Sequence, residues 1–265
     1  MNVVSLARTL ESKFGASRFV DRFINWYVWD HDRPHSIPGL FMVAGRPRSG
    51  TTLLGALLGN HPGLTLLLEP YRSFWMSGTI KHDDRLWRGH PTDTVRRIAR
   101  SGLPVGVKET DFPAGEEWSN HEFLEAAVSS GIPVVYIVRD PRDVWVSTLE
   151  YLGLAEDALP TQRFCDAWNL SVEFGRTCRC FVSYTDLVAD TETTMRRVCD
   201  AIGVAFDPVV TTPARRSGVG DSKAMAGKAI STNSVGRYKS LLEPEAIDRI
   251  EVACGAEMRS LGLLP

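Results

Sequence analysis

Leu40-Phe41-Met42-Val43-Ala44-Gly45-Arg46-Pro47-Arg48-Ser49-Gly50-Thr51-Thr52-Leu53-Leu54-Gly55-Ala56-Leu57-Leu58 is the stretch that decides the reading of this chain. An apolar run of strand length leads into a glycine-bounded loop and then a segment with helical periodicity. Backbone N–H groups of Ser49 to Thr52 would converge at the start of a helix over 51–59, where the helix dipole also favours negative charge. Gly50 permits the close approach this requires, Thr51 and Thr52 add hydroxyl donors, and Arg46 and Arg48 add charge. The predicted object is an anion cradle. The glycines are spaced G-x-x-x-x-G. Loops of that spacing that grip a nucleoside triphosphate place a lysine after the second glycine, followed by a Ser/Thr for Mg²⁺. Here Thr51 stands in the lysine's place and the basic residue sits earlier, at Arg48. The cradle is kept without the triphosphate clamp.

Working outward, strands and helices alternate. Apolar runs at 64–68, 104–108 and 132–138 read as strands, as does Arg179-Cys180-Phe181-Val182-Ser183-Tyr184. Helical patterns fall near 92–101, 120–130, 141–152, 161–177, 190–203 and 243–260. This alternation predicts an α/β fold of three layers, a central parallel sheet flanked by helices. Residues 1–265 are read as one domain, with a helical lead-in over 1–38 and a core over 40–265. Phe19, Phe23, Trp26 and Tyr27 share a helical face in that lead-in. Gly218 to Ser234 reads as a long loop.

The clearest strand closes on Val138-Arg139-Asp140-Pro141-Arg142-Asp143-Val144-Trp145-Val146-Ser147. Asp140 suits the N-cap of the next helix and Pro141 its first position. Arg139 then lies at the carboxyl end of a parallel strand, on the sheet edge that also carries the glycine loop, where open α/β sheets bind ligands. Ser147 lies two turns into the helix and shares an anion with Arg139 only if the ligand runs along it.

Composition bounds the function. In 265 residues, 43% are hydrophobic and 23% charged, as in a globular enzyme. A net charge of −2 supplies no global field for a polyanion, so nucleic acid is not an expected partner. No apolar run reaches the about 18 to 20 residues of a membrane span, and Met1 to Arg8 lacks the pattern of a secretion signal. The five cysteines form no C-x-x-C pair, and reduced thiols in a cytoplasmic protein are expected.

The loop and the Arg/Ser pair together resemble the sulfotransferase family, which moves a sulfuryl group from 3′-phosphoadenosine 5′-phosphosulfate (PAPS). In that family an [RK]-S-G-T-T loop grips the 5′-phosphosulfate, and an arginine with a serine eight residues on holds the 3′-phosphate. The matching residues are Arg48-Ser49-Gly50-Thr51-Thr52 and Arg139 with Ser147. Ser183-Tyr184-Thr185-Asp186-Leu187 resembles a further family segment, with Thr185 where glutamate is usual. Ser234-Val235-Gly236-Arg237-Tyr238-Lys239 resembles the loop that covers the nucleotide. The resemblance runs from about residue 40 to the C-terminus and implies a nucleotide-kinase-like sheet, PAPS as donor, 3′-phosphoadenosine 5′-phosphate (PAP) as product, and no required metal. It implies cofactor contacts from Arg46, Arg48, Ser49, Gly50, Thr51, Thr52, Arg139, Ser147, Tyr184 (near the adenine) and Arg237.

In-line sulfuryl transfer needs positive charge at the leaving oxygen and a base for the acceptor proton. Arg48 suits the first role. Glu69, ending the strand before Pro70, suits the second, with Glu109 as the other candidate carboxylate; Lys108 completes the catalytic set. Family members acting on phenols and steroids carry a histidine in "K-T-H"; Lys108-Glu109-Thr110-Asp111 has none. The expected acceptor is therefore a hydroxyl or amine of a small molecule, glycolipid or carbohydrate. Phe74, Trp75, Trp87, Phe112, Trp118 and Tyr151 are candidates to line its pocket. An ATP-dependent kinase and a catalytically idle nucleotide-binding protein are the competing readings, and oligomeric state is not legible.

Overall fold

The computed structural model describes residues 33–71, 91–112, 120–213 and 229–265. Among them five strands, β1 Leu40–Ala44, β2 Thr65–Leu68, β3 Val105–Lys108, β4 Val134–Val138 and β5 Cys180–Ser183, form one sheet in the order β2-β3-β1-β4-β5. Every pairing is parallel. The helices are α1 Thr51–Leu58, α2 Pro91–Ala99, α3 His121–Ser129, α4 Pro141–Leu152, α5 Thr161–Thr177, α6 Tyr184–Ala189, α7 Thr191–Ala201, α8 Tyr238–Leu241 and α9 Pro244–Ser260. This is the expected three-layer α/β architecture.

The strands read as continuous apolar runs because both of their faces are covered. Along β1, Leu40, Met42 and Ala44 face one core with Phe123, Leu124 and Tyr136. Phe41 and Val43 face the other, with Leu54, Leu57 and Leu58 of α1 and Leu187 and Met195 beyond β5. A third core joins Trp145 of α4, Trp168 of α5 and Ile250 and Met258 of α9. Each fully buried Leu, Ile, Phe or Met side chain contributes about 1.5–3 kcal/mol, which fixes the sheet and so its carboxyl edge.

Chain order reverses direction around β1, whose neighbours are β3 and β4. Such a reversal opens a crevice at the carboxyl ends of the strands. Register places Leu68 of β2 beside Lys108 of β3, and Ala44 of β1 beside Tyr136 of β4. The residues that follow these strands, Gly45, Glu69, Glu109 and Arg139, therefore emerge on one rim.

One expected boundary needs correction. The strand read over 179–184 ends at Ser183, and Tyr184 opens helix α6. The Ser183 hydroxyl accepts from the Asp186 N–H and caps that helix, so local capping ends the strand one residue early. The lead-in residues 1–32, including the Phe19–Tyr27 face, lie outside the described residues; Pro34–Ser36 form a short 3₁₀ turn. No described helix is long and apolar enough to cross a membrane.

Candidate functional site

The glycine loop joins β1 to α1 as expected. Gly50 has φ +102°, and a Cβ there would lie 2.4 Å from the Tyr184 ring. Glycine is required twice at this position, for the left-handed backbone and for the ring against it. Gly45 has a different reason: a Cβ there would meet the Ile137 carbonyl oxygen at 2.5 Å. Three described non-glycine residues adopt positive φ: Arg33, Arg48 (+69°) and Glu69 (+50°). Two of these carry side chains that the sequence assigned to chemistry. Strain of this kind collects where function requires it.

Arg48, Gly50, Thr51, Thr52, Arg139, Ser147, Glu150, Tyr184, Ser234 and Arg237 line one cleft of about 440 Å³. The Arg48 Nε–H donates to Ser147 Oγ at 3.0 Å, so the loop and the Arg/Ser pair share a rim. Arg139 Nη1 donates to the Arg48 carbonyl at 3.2 Å, and Nη2 donates to the Ser234 carbonyl. Its guanidinium carbon lies 4.7 Å from the centre of the Tyr184 ring. The Tyr184 hydroxyl bonds Ser234 Oγ at 2.6 Å.

Arg139 is 8% exposed, and its Nε is buried with no hydrogen-bond partner among the described residues. Burial lowers its pKa below the ordinary arginine value; Tyr184 and Asp143 oppose that, and the charges of Arg237 and Arg48 add to the lowering. A buried cation whose bonds go to carbonyl oxygens, with two like charges nearby, is a site that an anion would relieve.

Helix α4 organises this end. Asp140 caps it, accepting from the Arg142 N–H at 2.9 Å, with Pro141 at the first position as expected. Asp143, 1% exposed, accepts from the Gly236 N–H at 2.7 Å and the Tyr238 N–H at 3.1 Å. It pins the loop carrying Ser234 and Arg237 over the cleft. Arg237 in turn forms a forked ion pair with Glu150. Sequence reading missed both carboxylates. Asp143 had a signal, an acid in the first turn of a helix that opens at the site; Glu150 had none short of the fold.

The second cluster lies beneath the ends of β2 and β3. Glu69 and Lys108 are 3% and 2% exposed and form a buried ion pair. Thr110 Oγ1 donates to the same Glu69 oxygen at 2.9 Å and receives Lys108 Nζ at 3.1 Å. Glu109 accepts the Tyr71 N–H at 2.8 Å and so braces the chain that follows Glu69. Glu69 and Lys108 are not among the residues lining the cleft. Nor are Arg46 and Ser49: Ser49 is buried in the loop and Arg46 lies over the Phe164 ring at 5.4 Å. Of the proposed acceptor aromatics, Phe74, Trp75, Trp87 and Trp118 lie outside the described residues. Tyr151 is 67% exposed, with the Arg48 guanidinium 4.9 Å from its ring centre.

Known proteins resemble this chain in a segment of its sequence and in its fold. The model of the sulfotransferase family matches residues 131–208, the segment holding Arg139, Ser147 and Tyr184. Nodulation protein NoeE of Sinorhizobium fredii (strain NBRC 101917 / NGR234) is 23% identical over 277 residues, covering 84% of this chain and 65% of NoeE. The sulfotransferase domain of the Synechococcus PCC 7002 olefin synthase superposes with TM-score 0.55 at 20% identity, over 81% of this chain and 94% of that one. Mouse sulfotransferase SULT7A1, solved with PAP, does so with TM-score 0.54 at 16% identity, over 83% of each chain. Motif and matched segment point the same way: the chain is similar to the sulfotransferase family over residues 131–208 and shares its sheet with solved sulfotransferases over most of its length.

Proposed function

We propose that this protein transfers a sulfuryl group from PAPS to a hydroxyl or amine of a small-molecule or carbohydrate-type acceptor. The observation that carries the reading is the buried Arg139 guanidinium, bonded to carbonyl oxygens and opening, with Arg48, Ser147 and Arg237, on a single cleft. The residues fit a bisphosphorylated adenosine: Arg139 Nε is an orphaned buried donor, and the Gly50 cradle is one that a Cβ would fill. PAPS would supply an activated sulfuryl group on a phosphate leaving group. The amides of residues 49–52, Thr51 and Thr52 would hold its 5′ end, Arg139 and Ser147 its 3′-phosphate, and Tyr184 would lie near the base. That the mouse relative binds PAP supports this assignment.

The roles within the chain follow from charge. Arg48, held in a left-handed conformation and bonded to Ser147, aims a fixed positive charge at the position where negative charge develops on the leaving side. Glu69 is the base of this reading. Lys108 and Thr110 both donate to one of its oxygens, which fixes the carboxylate's orientation. Glu109 is already committed to the Tyr71 amide, which favours Glu69 for the role. Tyr151 beside Arg48 marks the acceptor side. A cytoplasmic location and a single domain over 1–265 belong to the same proposal.

The test has two parts. PAP should raise the melting temperature by several degrees at concentrations where ATP with Mg²⁺ does little, since ligand binding stabilises by mass action. Mass spectrometry should then find a sulfated product from PAPS in a library of hydroxyl and amine acceptors. A larger shift with ATP–Mg²⁺ and no product from PAPS would overturn the reading.

A further inference from the structure

Among the described residues lining the arginine-rich cleft, Glu150 is the acidic one. It stands three residues after Ser147 on α4, so both project from one face of the helix, a turn apart. Its carboxylate holds Arg237 through both of its oxygens. Arg237 belongs to the covering loop, whose backbone Asp143 fixes independently through Gly236 and Tyr238. The guanidinium can therefore change partner by side-chain rotation while the loop stays in place. Arg237 also remains near enough to Arg139 to be felt as a like charge.

On this geometry, and resting on the donor reading above, we propose that Glu150 is an internal counter-anion: it occupies Arg237 in the ligand-free protein and yields it to the 3′-phosphate of the bound nucleotide. The exchange is favourable because the two sides of the pair are unequal to their replacements. Side chains of Arg237 and Glu150 are 27% and 49% exposed, so solvent screens their attraction and the pair is weak. A phosphate monoester brings nearly two charges and three acceptor oxygens to the same fork. Glu150 thus makes Arg237 selective, available to a dianion and withheld from ligands that lack one. It also lowers the affinity for donor and product together, which favours product release.

Calorimetric titration with PAP and with 5′-AMP, which lacks the 3′-phosphate, tests this without turnover. Glu150→Gln and Glu150→Ala should each tighten PAP about threefold to fivefold, the upper range for releasing a solvent-screened pair before binding. Binding of 5′-AMP should change less than about twofold. In an Arg237→Ala background the gain from Glu150→Ala should shrink to under half. PAP binding that is unchanged or weakened in both Glu150 variants, or an equal gain for 5′-AMP, overturns the proposal. Wild-type protein with no measurable PAP binding overturns the donor reading itself, and this inference with it.

Discussion

Two clusters at the carboxyl edge of the sheet are built on opposite electrostatic plans. Beside β1 and β4, among the described residues, three guanidinium groups face one cleft against one acidic lining residue, and the bonds of Arg139 go to carbonyl oxygens. Beside β2 and β3, Glu69 and Lys108 neutralise one another out of contact with solvent. An excess of positive charge fits a pocket whose ligand brings the balance. A self-balanced buried pair fits a centre that holds a proton acceptor in place. Binding and turnover should therefore separate by mutation.

The largest effect is expected from the second plan. Glu69→Gln should lower kcat by about 10²–10⁴-fold, the range for a lost general base, and leave the Kd for PAP within about threefold. It should also cost stability, of order 3 kcal/mol, because Lys108 is left as a buried charge without its partner. A variant with wild-type kcat at saturating donor would break the comparison.

Arg139→Ala attacks the first plan. It should weaken PAP about 100-fold, within the cost of truncating one partner of a buried charge pair. Adenosine 5′-phosphosulfate, without the 3′-phosphate, should lose far less. Equal losses would move Arg139 away from that phosphate. Asp143→Ala should act more mildly, since it frees two loop amides rather than removing a ligand contact. PAP should weaken about tenfold and Tm should fall by roughly 5 °C, in line with the loss of hydrogen bonds to a buried carboxylate.

The smallest effect concerns His121, which bonds Asp111 at 3.2 Å at the start of α3. Burial pulls its pKa down, but the hydrogen bond and charge of Asp111, with Glu125 and Glu122, outweigh that and raise it above the ordinary value. Its stabilisation is complete below the unfolded histidine value of about 6.5 and is lost as pH rises through the higher folded value. Tm of the wild type should thus decline relative to His121→Gln between pH 6 and 8. Parallel curves would remove His121 from the account.

Much of this was legible in the chain itself, and the reasons are local. Gly45 to Thr52 declares its loop because phosphate cradles need glycine at fixed places, and Asp140-Pro141 declares a helix start through capping chemistry. The Tyr184 helix was missed although Ser183 and Asp186 carry its capping signal, because the apolar run before them reads as strand. The Glu69–Lys108 pair could not be read, since it depends on β2 lying next to β3 and on Leu68 registering with Lys108. The Glu150–Arg237 pair spans 87 residues and depends on where Asp143 ties a distant loop.

Arg48 and Glu69 both occupy a conformation that suits glycine better, at a cost of order 1–3 kcal/mol each. Any search for hardier variants guided by backbone comfort alone would replace these two residues with glycine or asparagine early. At position 69 the exchange would strip Lys108 of its buried partner, a loss of order 3 kcal/mol that at least offsets the backbone relief, so thermal improvement of this protein has to be sought away from those two corners.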